Sequence, residues 1–282
     1  MIALVRTEFT KAARRTRTLI VALLLVGLPA LIVVAINTSG NRGGPGGDGE
    51  GLFRLAQQSG LLVPAAVLSV MSGFLLVIIA GTLAGDSVAG DASWGNLRYL
   101  LMRPVPRGRL LVAKAFVAGV LIWTATILVA LAGLVVGVML FGARAVTVPG
   151  LGGLAGGGLA GGFHLDAGAL LLRVVLATGY VAFGFTALLA LGTLFSTLTD
   201  TSVSAIGGAV GIYIVSEILD SISQLGRIRD AFPTHYRGAW ESMFTQNSFS
   251  HDMVTGIIVQ LAYLAVFGAA AIIWFRRKDI RS

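Results

Sequence analysis

Side chains able to do acid–base or metal chemistry are few in this chain: three histidines, His164, His235 and His251, thirteen acidic residues and no cysteine. His235, Glu241, His251 and Asp252 are the one group near enough in sequence to be weighed as metal ligands, but their spacing follows no ligand pattern. Without cysteine there are no thiolate ligands and no disulfides. H-E-x-x-H, G-x-S-x-G, an EF-hand loop and G-x-x-x-x-G-K-[ST] are all missing from the sequence, so neither a protease or esterase centre nor a phosphate-cradling loop is encoded. Gly44, Gly46 and Gly49, and again Gly156, Gly158 and Gly161, satisfy G-x-G-x-x-G. Neither set joins a strand to a helix as a dinucleotide site requires, so both read as flexible loops. The chain is therefore expected not to be an enzyme, with no catalytic, cofactor or metal residues of its own.

The elements around these residues explain the poverty of chemistry. Apolar runs at 18–36, 61–84, 115–141, 169–195, 203–219 and 253–275 are each long enough to cross a ~30 Å hydrocarbon layer as helices rising ~1.5 Å per residue. The composition agrees: 56% hydrophobic, 12% charged and a mean hydropathy of +0.87 exceed what a soluble fold of this length hides. The fold class expected is an all-α integral membrane protein with six transmembrane helices. The whole chain, 1–282, forms one transmembrane domain, since the loops leave no room for a separate globular unit.

Charge sets the orientation. Most of the 21 Lys and Arg fall in three places: Arg6, Lys11, Arg14, Arg15 and Arg17; Arg98, Arg103, Arg107, Arg109 and Lys114; Arg276, Arg277, Lys278 and Arg281. The remaining loops hold fewer cations, mixed with acids. The positive-inside rule puts both termini in the cytoplasm. A net charge of +8 could suggest nucleic acid, but cations at helix ends are explained by headgroups and topology, so no nucleic-acid partner is expected. Abundant Arg, scarce Lys and many Ala and Gly point to a prokaryotic source, hence its inner (plasma) membrane.

Within that frame, residues 1–17 form an amphipathic helix. Val5 and Phe9 belong to its apolar side and Arg14 and Arg15 to its basic side, which suits a position in the membrane surface. The segment 85–114 is predicted to contain a short cytoplasmic helix. Asp91 caps its first turn, Trp94, Leu97 and Leu101 form a stripe, and Pro104 and Pro106 end it. Such a stripe needs a partner, either headgroups or a groove on a cytoplasmic protein. The outer segment 220–252 carries apolar stripes on both sides of Pro233 and is predicted to fold back at the interface, with Tyr236 and Trp240 at headgroup level. Glu217, a turn inside the fifth span, must face protein or water, or snorkel. Gly81 with Gly85, Gly133 with Gly137, and Gly207 with Gly211 are spaced for close helix approach, within the molecule or between copies.

Taken together, Arg6-Thr7-Glu8-Phe9-Thr10-Lys11 with Arg14 and Arg15, the stretch from Asp91 through Trp94-Gly95-Asn96-Leu97-Arg98 to Arg103-Pro104-Val105-Pro106-Arg107, the broken segment at Pro233-Thr234-His235-Tyr236 and the closing Phe275-Arg276-Arg277-Lys278-Asp279 resemble the type-2 ATP-binding-cassette transporter permeases over almost the whole length. These are bacterial exporter subunits that work with a separately encoded ATPase. The resemblance implies that Asp91, Trp94, Leu97, Arg98, Leu101 and Arg103 dock on that ATPase as a coupling helix. It implies that the amino-terminal helix lies beside it as a lever, and that two permeases, identical or paralogous, enclose the pathway. ATP and Mg would be bound by the partner. Family members often carry Glu and Gly-Thr where this chain has Asp91 and Gly95-Asn96. A gradient-driven transporter or channel is the first competing reading, but the spans carry almost none of the midplane polar relays it would use. A non-transporting membrane scaffold is the second.

Overall fold

A computed structural model describes residues 2–13, 16–38, 56–93, 106–148, 163–245 and 250–277. Among them run ten α-helices and one short antiparallel ladder: α1 (Ile2–Ala13), α2 (Thr16–Thr38), α3 (Val63–Gly73), α4 (Leu75–Ser93), α5 (Arg107–Phe141), β1 (Val146–Val148), β2 (Phe163–Leu165), α6 (Ala167–Gly184), α7 (Thr186–Leu198), α8 (Ser202–Ser221), α9 (Ser242–Thr245) and α10 (His251–Arg277). Six helical stretches are long and apolar enough to cross a membrane: α2, α4, α5, α6 with α7, α8 and α10. The spans at 18–36, 169–195, 203–219 and 253–275 each lie within a helix or helix pair of this set.

Two spans are broken, each at a Gly–Phe step. Phe74 leaves the helical region at φ −134°, ψ −59° after Gly73, and Phe185 sits at φ −86°, ψ 3° after Gly184. Glycine is a poor helix former and lowers the cost of interruption at both points. The run 61–84 is therefore not one helix but α3 followed by α4, and α4 continues past Ala84 to Ser93. The next helix starts at Arg107, just after Pro106, whose fixed φ and missing N–H suit a helix start. Both helices thus extend into 85–114, and only 94–106 lies between them.

Helix α7 is central, packed against α4, α8 and α10, while α5 gathers α2, α3 and α4. Helix α4 joins the two groups. Small residues permit this closeness: a Cβ added at Gly81 would collide with Val210, and one at Gly85 with the backbone of Ile206, both on α8. Gly133 and Gly137 likewise admit Pro64 and Val63 of α3. Two of the three glycine pairs thus serve packing inside the chain, whereas Gly207 and Gly211 meet nothing within 4 Å. The outward faces are apolar, with Leu23, Leu31, Met139 and Val203 between 66% and 82% exposed, as a lipid-facing surface requires.

At the end of α5, the Ser59 hydroxyl donates to the Arg144 carbonyl at 2.7 Å and the Gly60 N–H to the Gly142 carbonyl at 2.9 Å. Beyond it, Val146 pairs with Leu165 and Val148 with Phe163; the two glycine-rich loops, with Gly44, Gly46 and Gly49 and with Gly156, Gly158 and Gly161, lie outside the described residues. The segment after α8 turns through 3₁₀ helix at Ser223–Ala231 and Ala239–Glu241 before α9.

Candidate functional site

Three ionisable side chains from three different elements meet at one end of the bundle. Lys114 projects from the early turns of α5, its side chain 3% exposed. Its ammonium donates to Glu8 Oε2 of α1 at 3.0 Å and to Asp91 Oδ2 in the last turn of α4, these carboxylates being 14% and 4% exposed. An isolated ion in such a place would cost several kcal/mol, and the two carboxylates offset that cost. The cluster fixes the end of α4 and the start of α5 to α1, at the point where 94–106 leaves and returns.

Asp91 does not cap a new helix. It lies inside α4, and its carboxylate is turned to Lys114. The helix is carried through this region by a second contact, in which the Val88 and Ala89 N–H groups donate to Ser196 Oγ of α7 at 2.9 and 2.8 Å. Of the other coupling candidates, Trp94, Leu97, Arg98, Leu101 and Arg103 lie outside the described residues, as do Arg14 and Arg15. On α1, Val5 is half-buried and Phe9 is 41% exposed. Packing on α5 therefore leaves Phe9 outward.

A cavity of about 340 Å³ opens from this cluster between α2, α4 and α5. Glu8, Asp86, Ser87, Asp91 and Lys114 line one end, and Val21, Leu25, Ile79, Leu121 and Leu128 are among the apolar side chains along the rest. It exists because α2 packs on α5 and stands away from α4.

The opposite end is a polar cap built by the segment after α8. Glu217 is paired with Arg237 at 2.6 Å, which gives this acid a protein partner near the end of its span. Asp220 accepts from His235 Nδ1 at 2.6 Å and from Arg229 Nε at 3.4 Å, and His235 Nε2 lies 3.6 Å from Asp230. His235 thus contacts two acids of its own segment. Among the described residues no three His, Asp or Glu are grouped to hold a metal. Burial, and then Asp230, Asp252 and Asp220, push the Tyr236 phenol above its ordinary value.

The fold-back goes deeper than its sequence suggested. Trp240, Met243 and Phe244 are buried, Trp240 and Phe244 edge-to-face at 6.0 Å. Trp240 is therefore a core residue and not a headgroup anchor; its large ring fills space under the cap. Gln260 of α10 joins cap to bundle: its Nε2 donates to the Pro233 carbonyl at 2.8 Å, and its Oε1 accepts from the Ala187 N–H at 2.8 Å. That N–H belongs to the first turn after the Phe185 break and has no helical carbonyl to use.

Glu8, Lys114, Ser196 and Gln260 were not singled out by spacing. Glu8 is the lone acid in a basic stretch and Lys114 stands one residue before an apolar run, so both look like ordinary flanking charges until the helices are assembled.

Residues 2–280 match the family model described as ABC-2 family transporter protein. No curated protein matches the chain.

Proposed function

The chain belongs to the ABC-2 family of transporter membrane proteins, and from that premise we propose that it is the permease subunit of an ATP-driven exporter, coupled to a separately encoded ATPase. Two copies, or one copy and a paralogous permease, enclose the substrate pathway. The open face of α8 at Gly207 and Gly211 is available for that contact. The protein sits in a prokaryotic inner membrane with both termini in the cytoplasm. The basic ends of α1, α5 and α10 support this orientation. ATP and Mg belong to the partner.

The Glu8–Lys114–Asp91 cluster carries the coupling part of the reading. The docking segment runs from Asp91 through Trp94, Leu97, Arg98 and Leu101 to Arg103. Its two flanking helices are clamped to each other and to α1, which with Val5 and Phe9, and with Arg14 and Arg15 following it in sequence, would serve as the membrane-surface lever. Force from closing ATPase subunits then reaches α4 and α5 together. Because α4 also packs on α7 and α8, displacement spreads through the spans and shifts the dimer between inward and outward states.

The test is purification of tagged protein from its native membrane in mild detergent, identification of what accompanies it, and assay for ATP hydrolysis. A stoichiometric ATPase is expected, its association weakened by Trp94→Ala or Leu97→Asp with membrane insertion intact. Protein that emerges intact, alone and without hydrolysis under several gentle conditions refutes the reading, and gradient-driven flux in liposomes is then measured instead.

A further inference from the structure

Helix α8 carries a polar face into its span. Tyr213, Ser216, Glu217 and Asp220 recur at three- and four-residue spacing, so they share the side that meets the fold-back segment. Three of them find partners there: Ser216 with Thr234 at 3.0 Å, Glu217 Oε1 with Arg237 Nη2 at 2.6 Å, and Asp220 with His235 at 2.6 Å. The deepest does not. Tyr213 is 2% exposed, and among the described residues neither its buried hydroxyl nor the buried Nη1 of Arg237 has a hydrogen-bond partner. Glu217 lies one turn from Tyr213 and holds Arg237, and the charges of both act on the Tyr213 hydroxyl. The two stranded donors thus belong to one small site, at a cost that a bound acceptor would recover.

The site is not sealed. The Arg237 and Glu217 side chains remain 24% and 35% exposed, and a Cβ added at Gly73, beside the α3–α4 break, would meet only Arg237 Nη2, at 3.8 Å. The ion pair limits what can enter. A lone anion would find Arg237 already neutralised and Glu217 repelling it, and a lone cation would meet the reverse. A molecule carrying both charges avoids both penalties.

We propose that Tyr213, Glu217 and Arg237 bind a small zwitterion of the amino-acid type, its carboxylate accepting from the Tyr213 hydroxyl and Arg237 Nη1 and its ammonium donating to Glu217. The two ion pairs then lie head to tail and both stranded donors are used. The site belongs to one copy of the chain and does not rest on the ATPase-coupling reading.

The experiment uses full-length protein in lipid nanodiscs with 3-fluorotyrosine at all five tyrosines, the Tyr213 resonance being the one lost in Tyr213→Phe. Glycine, glycinamide and acetate present the zwitterion, the cation and the anion on nearly the same body. Each is titrated at neutral pH and constant ionic strength and followed by fluorine NMR. Glycine is expected to shift the Tyr213 resonance saturably, at concentrations about tenfold or more below those needed of either singly charged probe, since each of these lacks one charge-assisted contact. Arg237→Lys keeps the charge but loses the forked guanidinium, and should abolish the response. Glu217→Gln removes the partner of the ammonium and frees Arg237, so acetate should overtake glycine. The Tyr180 and Tyr263 resonances report whether each variant is folded. Acetate or glycinamide matching glycine on the parent protein would overturn the zwitterion assignment. No saturable shift with any probe would show that solvent meets both donors and would overturn the site, as would a glycine response that survives Arg237→Lys.

Discussion

Replacing Lys114 by Met separates the two contributions of the buried ion cluster. Met matches the length of the lysine stem and packs in apolar surroundings, so the variant mainly deletes the charge. Glu8 and Asp91, both mostly buried, then lose the ammonium that both of them hold. Removing one member of a buried ionic group costs about 3–5 kcal/mol. For a chain of this size that corresponds to a drop on the order of 10 °C in the apparent melting temperature, read by size-exclusion chromatography after heating in detergent. The triple variant Glu8→Gln, Asp91→Asn, Lys114→Met removes all three charges of the cluster, and neutral replacements of buried ionic groups are often nearly isoenergetic. It should therefore recover most of the lost stability. Recovery of folding without recovery of partner-stimulated transport is the expected signature of a mechanical clamp. A Lys114→Met protein that melts within about 1 °C of the parent would refute the energetic reasoning, because deleting the ammonium shared by two buried carboxylates should not be that inexpensive. A triple variant with both parental stability and parental transport would refute the clamp.

Gln260→Leu strands the Ala187 N–H and the Pro233 carbonyl together, so a loss of about 1–3 kcal/mol for each group left unpaired is expected in the same melting assay; Ala187 amide exchange should also quicken. Gly85→Leu drives a side chain into the Ile206 backbone and should lower stability by about 1–3 kcal/mol or more. Gly207→Leu meets open space and should leave monomer melting unchanged; a shift from dimer to monomer by light scattering would assign that face to the permease contact. Glu217→Gln breaks a pair that is only partly shielded from solvent, so its cost should fall within about 0–1 kcal/mol, with the cap retained by Asp220, His235 and Gln260.

Hydrophobicity revealed the spans because length and polarity are local properties of the chain. The two Gly–Phe interruptions were hidden for the same reason: Gly73–Phe74 and Gly184–Phe185 are fully apolar, and no transfer scale distinguishes a straight apolar helix from a broken one. Charge position suggested an orientation, yet it gave the same weight to Arg109, which is exposed, and to Lys114, which is buried. What distinguishes them is which face of α5 meets α1 and α4, a tertiary relation. Asp91 reads as a helix cap in the sequence, since an acid before an apolar stripe suits that task and the lysine it meets lies 23 residues away. Trp240 reads as an interfacial ring by residue type, and only the fold-back at Pro233 carries it into the core.

The placement of the breaks bears on how motion could pass through the bundle. Helix α4 is uninterrupted between Leu75 and Ser93, clamped by Lys114 at one end and held by Ser196 on the next turns. Its break lies at the far end, at Phe74. Helix α7 has the same polarity: it is continuous from Thr186 to Leu198, with its break at Phe185 bridged to the cap by Gln260. Two packed rods therefore share a rigid half next to the proposed docking segment and a hinge step away from it. A push delivered at Asp91 would move α4 and α7 as one body, because Gly192 and Ala84 leave no slack between them. Bending would concentrate at Phe74 and Phe185, where no continuous helix resists it. Gln260 ties the cap to one of those steps, beside the hydrogen bonds of Tyr180 to Tyr236 and Tyr263 to Ala231, so these side chains together would carry motion between the two ends of the molecule.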